Sequence, residues 1–419
     1  MKITKSHITI SFIYLLIVFS CFPYIQILPL GTDSQPNALF ISLCIFPFCS
    51  KWKMDRNLVL LLLLAVFSVF VLGLSPLTFG SIRSLINYFS LFFIAYVTYF
   101  SLVRIGGIPY GLFKKIVYTW FLVGTVQLFI YPNFLSFLIP RGDSSLTMET
   151  GRGIVCLAPE PTFYGIVCLI LGMIAYLNFR QSPHINRLYI VLAIQLFVYS
   201  RSSLAIFVLF VSVALAVFIN LFSNIRRGAG VLLGMIIAFV IIYMFIVSYS
   251  DVISSYRIGV LLSLLVEQPE SFLTLDASVN ERFIHVFFPL YGCFQNWGLP
   301  HGYEHFSMFM DECFRIPKFQ YLFTDYVLNG NITRIMSGWG SLFYELGLIG
   351  IVLLYVIYNL FSSLLRGKKR IFLFSLFCLI LLNAIPFSNS LIPFFIGNLI
   401  YLKNEYQRQK EDLSNKCSS

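Results

Sequence analysis

The sequence predicts an all-α polytopic membrane protein with about twelve transmembrane helices and a large extracytoplasmic loop domain between the ninth and tenth of them. Of its 419 residues, 58% are hydrophobic and 11% are charged, whereas a soluble domain carries about 25% charged residues. The mean hydropathy is +0.84. Apolar runs of spanning length recur on both sides of one long polar segment, residues 250–338, which indicates a membrane bundle interrupted by a single extramembrane domain.

Twelve apolar runs indicate the individual spans, because a helix needs roughly 20 residues to cross the hydrocarbon core. The second, seventh and twelfth runs are short, and Pro47 and Pro393 interrupt two of them. The predicted spans are 8–29, 35–50, 57–74, 85–103, 114–131, 160–179, 188–200, 203–223, 229–249, 339–362, 371–387 and 390–402.

The distribution of positive charge orients these spans. With the N-terminus inside, twenty of the 29 lysines and arginines fall in connections on the cytoplasmic side, as the positive-inside rule requires. Both termini are therefore predicted to be cytoplasmic. The predicted organisation is spans 1–9 in residues 1–249 with a short external loop at 132–159, a large external loop domain at 250–338, spans 10–12 in 339–402, and a cytoplasmic tail at 403–419.

The net charge of +11 follows from this topology and does not indicate nucleic-acid binding, since the excess positive charge lies on the cytoplasmic side. The nine cysteines show no metal-ligand spacing, and the chain has neither an H-E-x-x-H motif nor a phosphate-binding glycine loop. No metal and no cofactor are therefore expected. Cys293 and Cys313 share the large external loop, and a disulfide between them requires an oxidising compartment and backbones that come close together.

Three residues of the short external loop are candidates for the site: Arg141, Arg152 and Glu160. Glu160 lies where the sixth span enters the membrane, and a carboxylate at that depth is costly unless it is paired or hydrated. Arg152 is its expected partner, and the two glycines that flank Arg152 leave room for a ligand. The alternative is that Glu160, followed by Pro161, only begins the helix and interacts with its macrodipole.

A fourth candidate is Arg201, in the turn Ser200-Arg201-Ser202-Ser203 between the seventh and eighth spans. The turn is so short that the side chain must point into the headgroup zone or into the bundle. Substrate binding and simple snorkelling to the interface are the two interpretations.

In the large external loop, Ser278 and Glu281 have the spacing of a capping box, which predicts a helix that begins at Val279. Arg282 then lies in the first turns of that helix, and Pro289 is expected to kink or end it. An arginine held early in a capped helix is a candidate for contacting an anionic substrate.

His285 follows Arg282 by three residues and is expected on the same side of the helix. A turn-rich stretch, residues 296–305, comes next and combines glycines with aromatic and imidazole side chains. This composition is common in loops that contact sugars or phosphates. His285, His301 and Tyr303 are therefore candidate substrate-binding residues, and a structural role is the alternative for each histidine.

Several of these features together resemble the bacterial O-antigen polymerase (Wzy-type) family, which is related to the O-antigen ligases. The shared features are an external arginine followed by Glu160-Pro161-Thr162, the Ser-Arg-Ser-Ser turn, an arginine that leads the large loop, and the exit motif Gly338-Trp339-Gly340-Ser341…Tyr344-Glu345-Leu346-Gly347-Leu348-Ile349-Gly350. The resemblance covers the whole chain as an architecture of about twelve spans with two external loops, of which the later is larger.

The resemblance implies a GT-C-like integral membrane glycosyltransferase of the bacterial inner membrane. Such an enzyme transfers a growing glycan from one undecaprenyl diphosphate carrier to the non-reducing end of a carrier-linked repeat unit, so it requires no nucleotide sugar. The expected partners are the undecaprenyl-diphosphate-linked glycan and membrane lipid. A chain-length regulator protein is left open as a partner, and nucleic acid is not expected.

The family's arginines map onto Arg152 and Arg282. Their always-charged, bidentate guanidinium groups would stabilise the negative charge of the departing diphosphate, and Glu160 is the expected general base. Arg83, at the outer end of the fourth span, is expected to contact the lipid headgroup. Arg141 approximates the family's arginine-to-glycine spacing and is a further substrate-binding candidate.

Two other functions remain as alternatives. An O-antigen ligase would transfer the glycan to lipid A core, and ligases of this kind usually carry a histidine just before the span that follows the large loop. The corresponding stretch, residues 335–341, contains none, which favours the polymerase. A lipid-linked glycan flippase or transporter would have a similar number of spans, but it rarely needs an external loop of this length.

Overall fold

In a computed structural model of the chain, the described residues are 5–27, 32–49, 54–149, 151–222, 272–329, 334–382 and 385–418, together with Gly259 and Ile332. Within these ranges the regular structure is entirely helical and contains no strand. The ninth predicted span, 229–249, and most of 250–271 lie outside the described residues.

The helices of the N-terminal part are α1 (Lys5–Cys21), α2 (Asn37–Ile45), α3 (Arg56–Leu72), α4 (Phe79–Ile105), α5 (Tyr110–Phe129), α6 (Ser144–Glu149), α7 (Pro161–Phe179), α8 (Ile185–Ile194) and α9 (Ser203–Phe222). A 3₁₀ turn continues α2 to Phe48, and a π-helical segment continues α8 to Ser200.

The helices of the C-terminal part are α10 (Phe272–Leu275), α11 (Ala277–Gln295), α12 (Phe306–Arg315), α13 (Pro317–Gln320), α14 (Asp325–Leu328), α15 (Gly338–Leu346), α16 (Ile351–Leu364), α17 (Gly367–Leu382) and α18 (Leu391–Ser418). A 3₁₀ turn, Gly347–Gly350, joins α15 to α16.

Within the described residues, four helical segments are long and apolar enough to cross a membrane: Phe79–Ile105, Tyr110–Phe129, Pro161–Phe179 and Gly338–Leu364. Each predicted span that falls in the described part of the chain overlaps a helix, although several of these helices are shorter than a bilayer requires. The chain is therefore an α-helical protein with membrane-spanning segments. The total of twelve crossings stays a prediction.

The long helix α4 lies at the centre of the bundle and packs along α3 and α18. The approach to α18 is closest at Gly397, where an added Cβ would lie 2.5 Å from the Ala95 carbonyl oxygen. A second part of the core is aromatic: the indole ring of Trp120 stacks between Phe22 and Tyr164, with ring centroids 5.4 Å apart on each side.

At one end of the bundle, the connections predicted to be cytoplasmic meet one another. Lys403 Nζ lies 3.0 Å from Asp55 Oδ2 in a largely buried ion pair, and Asn404 Nδ2 donates a hydrogen bond to Tyr99 Oη at 3.0 Å. Helix α18 therefore contacts the connection after the second predicted span and the end of the fourth.

At the opposite end, the connections predicted to be external meet in the same way. The backbone N–H of Ile154 in the short loop donates to the Tyr199 carbonyl at 2.9 Å. The backbone N–H of Tyr303 in the large loop donates to Ser75 Oγ at 2.7 Å. These contacts group described connections at each end as the charge distribution predicted, while the full alternation and the side of the membrane that each end faces stay predictions.

The large loop has a small apolar core of its own around α11, α12 and α15. Helix α11 begins at Ala277, two residues earlier than predicted, because the Asp276 carboxylate and not Ser278 caps it by accepting from Val279 N at 2.9 Å. The helix also continues through Pro289 to Gln295 instead of ending there.

Cys293 and Cys313 are both buried in this part of the chain, and both are free thiols in the described structure. Cys313 belongs to the apolar core of the loop. Both side chains therefore fill apolar space, as buried free cysteines commonly do.

Candidate functional site

A cavity of about 1080 Å³ lies at the end of the bundle where the predicted external connections meet. Its walls come from the first turns of α4, α7, α11 and α15 and from the loops beside them. Among the described residues, five arginines and six acids line it: Arg83, Arg141, Arg152, Arg282, Arg334, Asp33, Glu160, Asp276, Glu281, Glu304 and Glu345.

The cavity brings together all three residues predicted to be catalytic, Arg152, Glu160 and Arg282. Two of the predicted substrate-binding residues, Arg83 and Arg141, line it as well. These five residues come from three separate parts of the sequence, and tertiary packing alone places them around one space.

The backbone around Arg152 is held in place by close contacts to the turn after α8. Arg152 N donates to the Thr147 carbonyl at 2.9 Å, and Thr147 Oγ1 donates to the Gly153 carbonyl at 2.8 Å. A Cβ added to Gly153 would lie 2.2 Å from the carbonyl oxygens of both Tyr199 and Ser200. Gly153 is therefore required for backbone packing, which corrects the prediction that it leaves room for a ligand.

Glu160 is the N-cap residue of α7, and Pro161 is the first residue of that helix, as predicted. An acidic N-cap side chain usually accepts a backbone N–H of the first turn, but Glu160 makes no such bond. Its carboxylate lines the cavity instead. The prediction that Glu160 pairs with Arg152 is wrong at ion-pair distance, since no contact within 4.0 Å joins these two described residues.

Arg282 reaches the same helix terminus from α11, and its Nη2 donates to Thr162 Oγ1 at 3.3 Å. Burial lowers the pKa of the Arg282 guanidinium, the Glu160 carboxylate opposes this shift, and the charge of Arg152 reinforces it. Arginine nevertheless stays charged at neutral pH. Arg152 and Arg282 are thus two cations that repel each other across partly desolvated space.

In the part of the chain that the structure describes, neither Arg152 nor Arg282 has a carboxylate within ion-pair distance. Arg141, another arginine of the cavity, differs from these two because it has such a carboxylate. Arg141 forms a bidentate pair with Asp33, with Nε donating to Oδ1 at 2.8 Å and Nη2 donating to Oδ2. The Arg141 charge is therefore compensated within the protein, whereas an anionic ligand would compensate Arg152 and Arg282.

The acids near this arginine pair also influence one another. Burial and the neighbouring Glu160 raise the pKa of Glu281, and Arg282 and Arg141 oppose that rise. Glu160 and Glu281 therefore act on Arg282 from beyond ion-pair distance.

Comparison of the chain with protein-family models, with curated proteins and with solved structures finds no match.

Four of the predicted site residues lie away from the lining of this cavity in the described structure. Arg201 adopts a left-handed backbone conformation, with φ of 42°, and its exposed side chain donates from Nε to the Val198 carbonyl at 3.2 Å.

His285 is only 4% exposed. Burial lowers the pKa of His285 to about 4. Glu281 Oε1, at 4.0 Å from Nε2, is too far for a hydrogen bond.

His301 and Tyr303 hold the large loop against the bundle. The His301 ring stacks on Tyr344 at 4.3 Å between centroids, and its Nε2 lies 2.9 Å from the Gly292 carbonyl. Tyr303 is fully buried and donates from its hydroxyl to the Ser68 carbonyl at 2.8 Å. Both side chains therefore have packing roles here, in place of the predicted contact with substrate.

The clearest residue that the site prediction omitted is Glu345, in the first turns of the tenth predicted span. Tyr88 Oη donates to Glu345 Oε2 at 2.5 Å, and Ser84 Oγ donates to Oε1 at 3.4 Å. The sequence signal was available, because a carboxylate inside an apolar span is costly and therefore usually functional. Asp33 and Arg334 lacked any comparable signal, since charged residues are ordinary in external loops.

Proposed function

We propose that this protein polymerises undecaprenyl-diphosphate-linked oligosaccharide repeat units into O-antigen or a related surface polysaccharide at the outer face of the inner membrane. The observation that carries the proposal is the pair Arg152 and Arg282, which lines a cavity at one end of an apolar helical bundle without a carboxylate partner among the described residues. The sequence resemblance to Wzy-type polymerases supplies the substrate class.

The chemistry of the proposed reaction matches this pair. When the glycan leaves its carrier, the diphosphate oxygen gains negative charge, and planar guanidinium groups offer it two parallel hydrogen bonds each. Donors that are already in place in a partly desolvated site stabilise this charge more than water does. Because Arg152 and Arg282 repel each other, an anion bound between them gains from both.

The size and lining of the cavity suit an oligosaccharide headgroup. Its volume of about 1080 Å³ is just above the usual range for ligand sites, roughly 300–1,000 Å³, which leaves room for several sugar units. Aromatic rings, among them Tyr24, Phe163, Tyr326 and Phe387, alternate with the charged groups of the lining. Rings and charged groups side by side offer both apolar contact and hydrogen bonds to a sugar headgroup.

The start of α4 offers the carrier lipid an exposed apolar surface. Leu77 and Phe79 are each 82% exposed, and Ile82 and Ile86 are also exposed. Phe79 lines the cavity, so this apolar surface is continuous with the charged site. A polyprenyl chain lying against these side chains would bring its diphosphate to Arg83, four residues further along the same helix.

The surface-glycan gel profile of a deletion strain tests the proposal. A polymerase deletion is expected to leave lipid A core capped by a single repeat unit, with no ladder, and the wild-type gene should restore the ladder. Core without any repeat would identify a ligase, and loss of exported lipid-linked units would identify a flippase. Either of these two patterns would refute the polymerase function.

A further inference from the structure

Glu345 has several properties of a functional residue but no role in the chemistry proposed for Arg152 and Arg282. It lies in the apolar segment Gly338–Leu364, it lines the cavity, and it accepts hydrogen bonds from Tyr88 and Ser84 of α4. Tyr88 is only 2% exposed, so this hydrogen bond holds one carboxylate oxygen in a defined position. Among the described residues, the other oxygen has only the longer contact to Ser84 and keeps spare acceptor capacity.

Glu160, the general base expected from the sequence, has a different environment. It acts electrostatically on both Arg282 and Glu281, so it lies in the region where the diphosphate would bind. A base for glycosyl transfer must instead reach the acceptor hydroxyl, and the donor sugar ring stands between that hydroxyl and the diphosphate. Glu345 belongs to α15 and is held by α4, whereas Glu160 and Arg282 belong to α7 and α11.

Resting on the polymerase function proposed above, we propose that Glu345 is the general base that activates the acceptor hydroxyl, with Tyr88 and Ser84 as positioning residues. Glu160 then balances the charge of the arginine pair. The acceptor hydroxyl and the departing diphosphate would thus contact different residues of one cavity.

Glycosyl transfer would occur here as a direct displacement of the diphosphate by the acceptor hydroxyl. The acceptor O–H bond breaks, its proton passes to the free carboxylate oxygen of Glu345, and the hydroxyl oxygen forms a bond to the anomeric carbon of the donor. The bond between that carbon and the diphosphate oxygen breaks, and its electron pair stays on the diphosphate, which Arg152 and Arg282 stabilise. A single displacement assisted by a base inverts the anomeric configuration.

Chain growth by the purified full-length protein in lipid nanodiscs tests the assignment. The substrate is the pool of lipid-linked repeat units extracted from the deletion strain, and the products are followed by gel and mass spectrometry across a range of pH. Glu345→Gln preserves shape and removes the base, so the rate should fall by a factor on the order of 10² or more. Glu345→Asp should retain part of the rate.

Glu312→Gln is the matched control, because Glu312 is an exposed glutamate of α12 outside the cavity. This variant should extend chains at the wild-type rate. Tyr88→Phe keeps the aromatic ring and removes the hydrogen bond that stabilises the carboxylate, so the acid limb of the pH–rate profile should move to higher pH. A purely structural role for Tyr88 would lower the rate without moving that limb.

Two results would overturn the assignment while the polymerase function stands: chain growth by Glu345→Gln at the wild-type rate, or a product linkage with retained anomeric configuration. If Glu345→Gln fails to fold, the pH–rate profile of Tyr88→Phe and the anomeric configuration of the wild-type product test the assignment of Glu345 instead. Failure of the wild-type protein to extend the extracted units would instead refute the polymerase proposal itself.

Discussion

Replacing Arg282 by alanine tests the arginine pair directly. Among the described residues, the Arg282 side chain makes one hydrogen bond, to Thr162 at 3.3 Å, and loss of a single bond of this kind costs about 1 kcal/mol of stability. The expected effect on the reaction is larger. Removal of a fixed donor to a developing negative charge costs about 3 kcal/mol of activation free energy, which corresponds to a rate roughly a hundredfold lower.

Arg282→Lys should rescue activity only in part, because lysine keeps the charge and loses the planar pair of donors. The assay is the chain-length distribution of surface glycan in deletion cells that express each variant at equal membrane abundance. Arg315→Ala is the matched control, since Arg315 is an exposed arginine of the same loop outside the cavity. A wild-type ladder from Arg282→Ala would show that Arg282 takes no part in the chemistry.

Three further predictions follow from the fold. A reporter fused after Arg370 should be cytoplasmic and one at Lys318 external, and the opposite result would refute the predicted topology. The folded-state pKa of His285 is about 4 against an ordinary value of 6.5, because burial favours the neutral ring. The stability that the neutral ring contributes to the folded state is therefore complete above pH 6.5 and is lost as pH falls towards 4. The loss is roughly 3 kcal/mol, and unfolding of His285→Gln in detergent should depend less on pH over that interval. Gly153→Ala should lower folded yield, because its Cβ would lie 2.2 Å from two backbone carbonyl oxygens, whereas Gly172→Ala, with no atom within 4 Å, should be neutral or stabilising by about 1 kcal/mol.

The helices themselves were predictable because apolar runs of spanning length have a strong signal. Residues 114–131 and 160–179, for example, correspond closely to α5 and α7. Helix boundaries were less predictable, since local alternatives are close in energy. At the start of α11, Asp276 and Ser278 are both good N-cap residues, and only the folded backbone shows that Asp276 accepts the hydrogen bond.

The candidate site was predictable where a charge lay at the edge of an apolar run. Glu160 met that condition, Arg152 lies in the loop before it and Arg282 lies early in a capped helix, and all three line one cavity. The histidines of the large loop did not follow the prediction, because a histidine in a loop is equally suited to packing. His301 shows this, with its ring stacked on Tyr344.

The amino-acid sequence by itself determined the helical membrane class and the positions of the charges between the apolar runs. These properties depend on local composition, since each apolar run must leave water and each charge must stay near it. Only the tertiary structure decided which of those charges share a cavity and which are already compensated. Arg141 differs from Arg152 in that respect because Asp33, more than a hundred residues away in the chain, packs against Arg141 and leaves Arg152 without a carboxylate neighbour among the described residues.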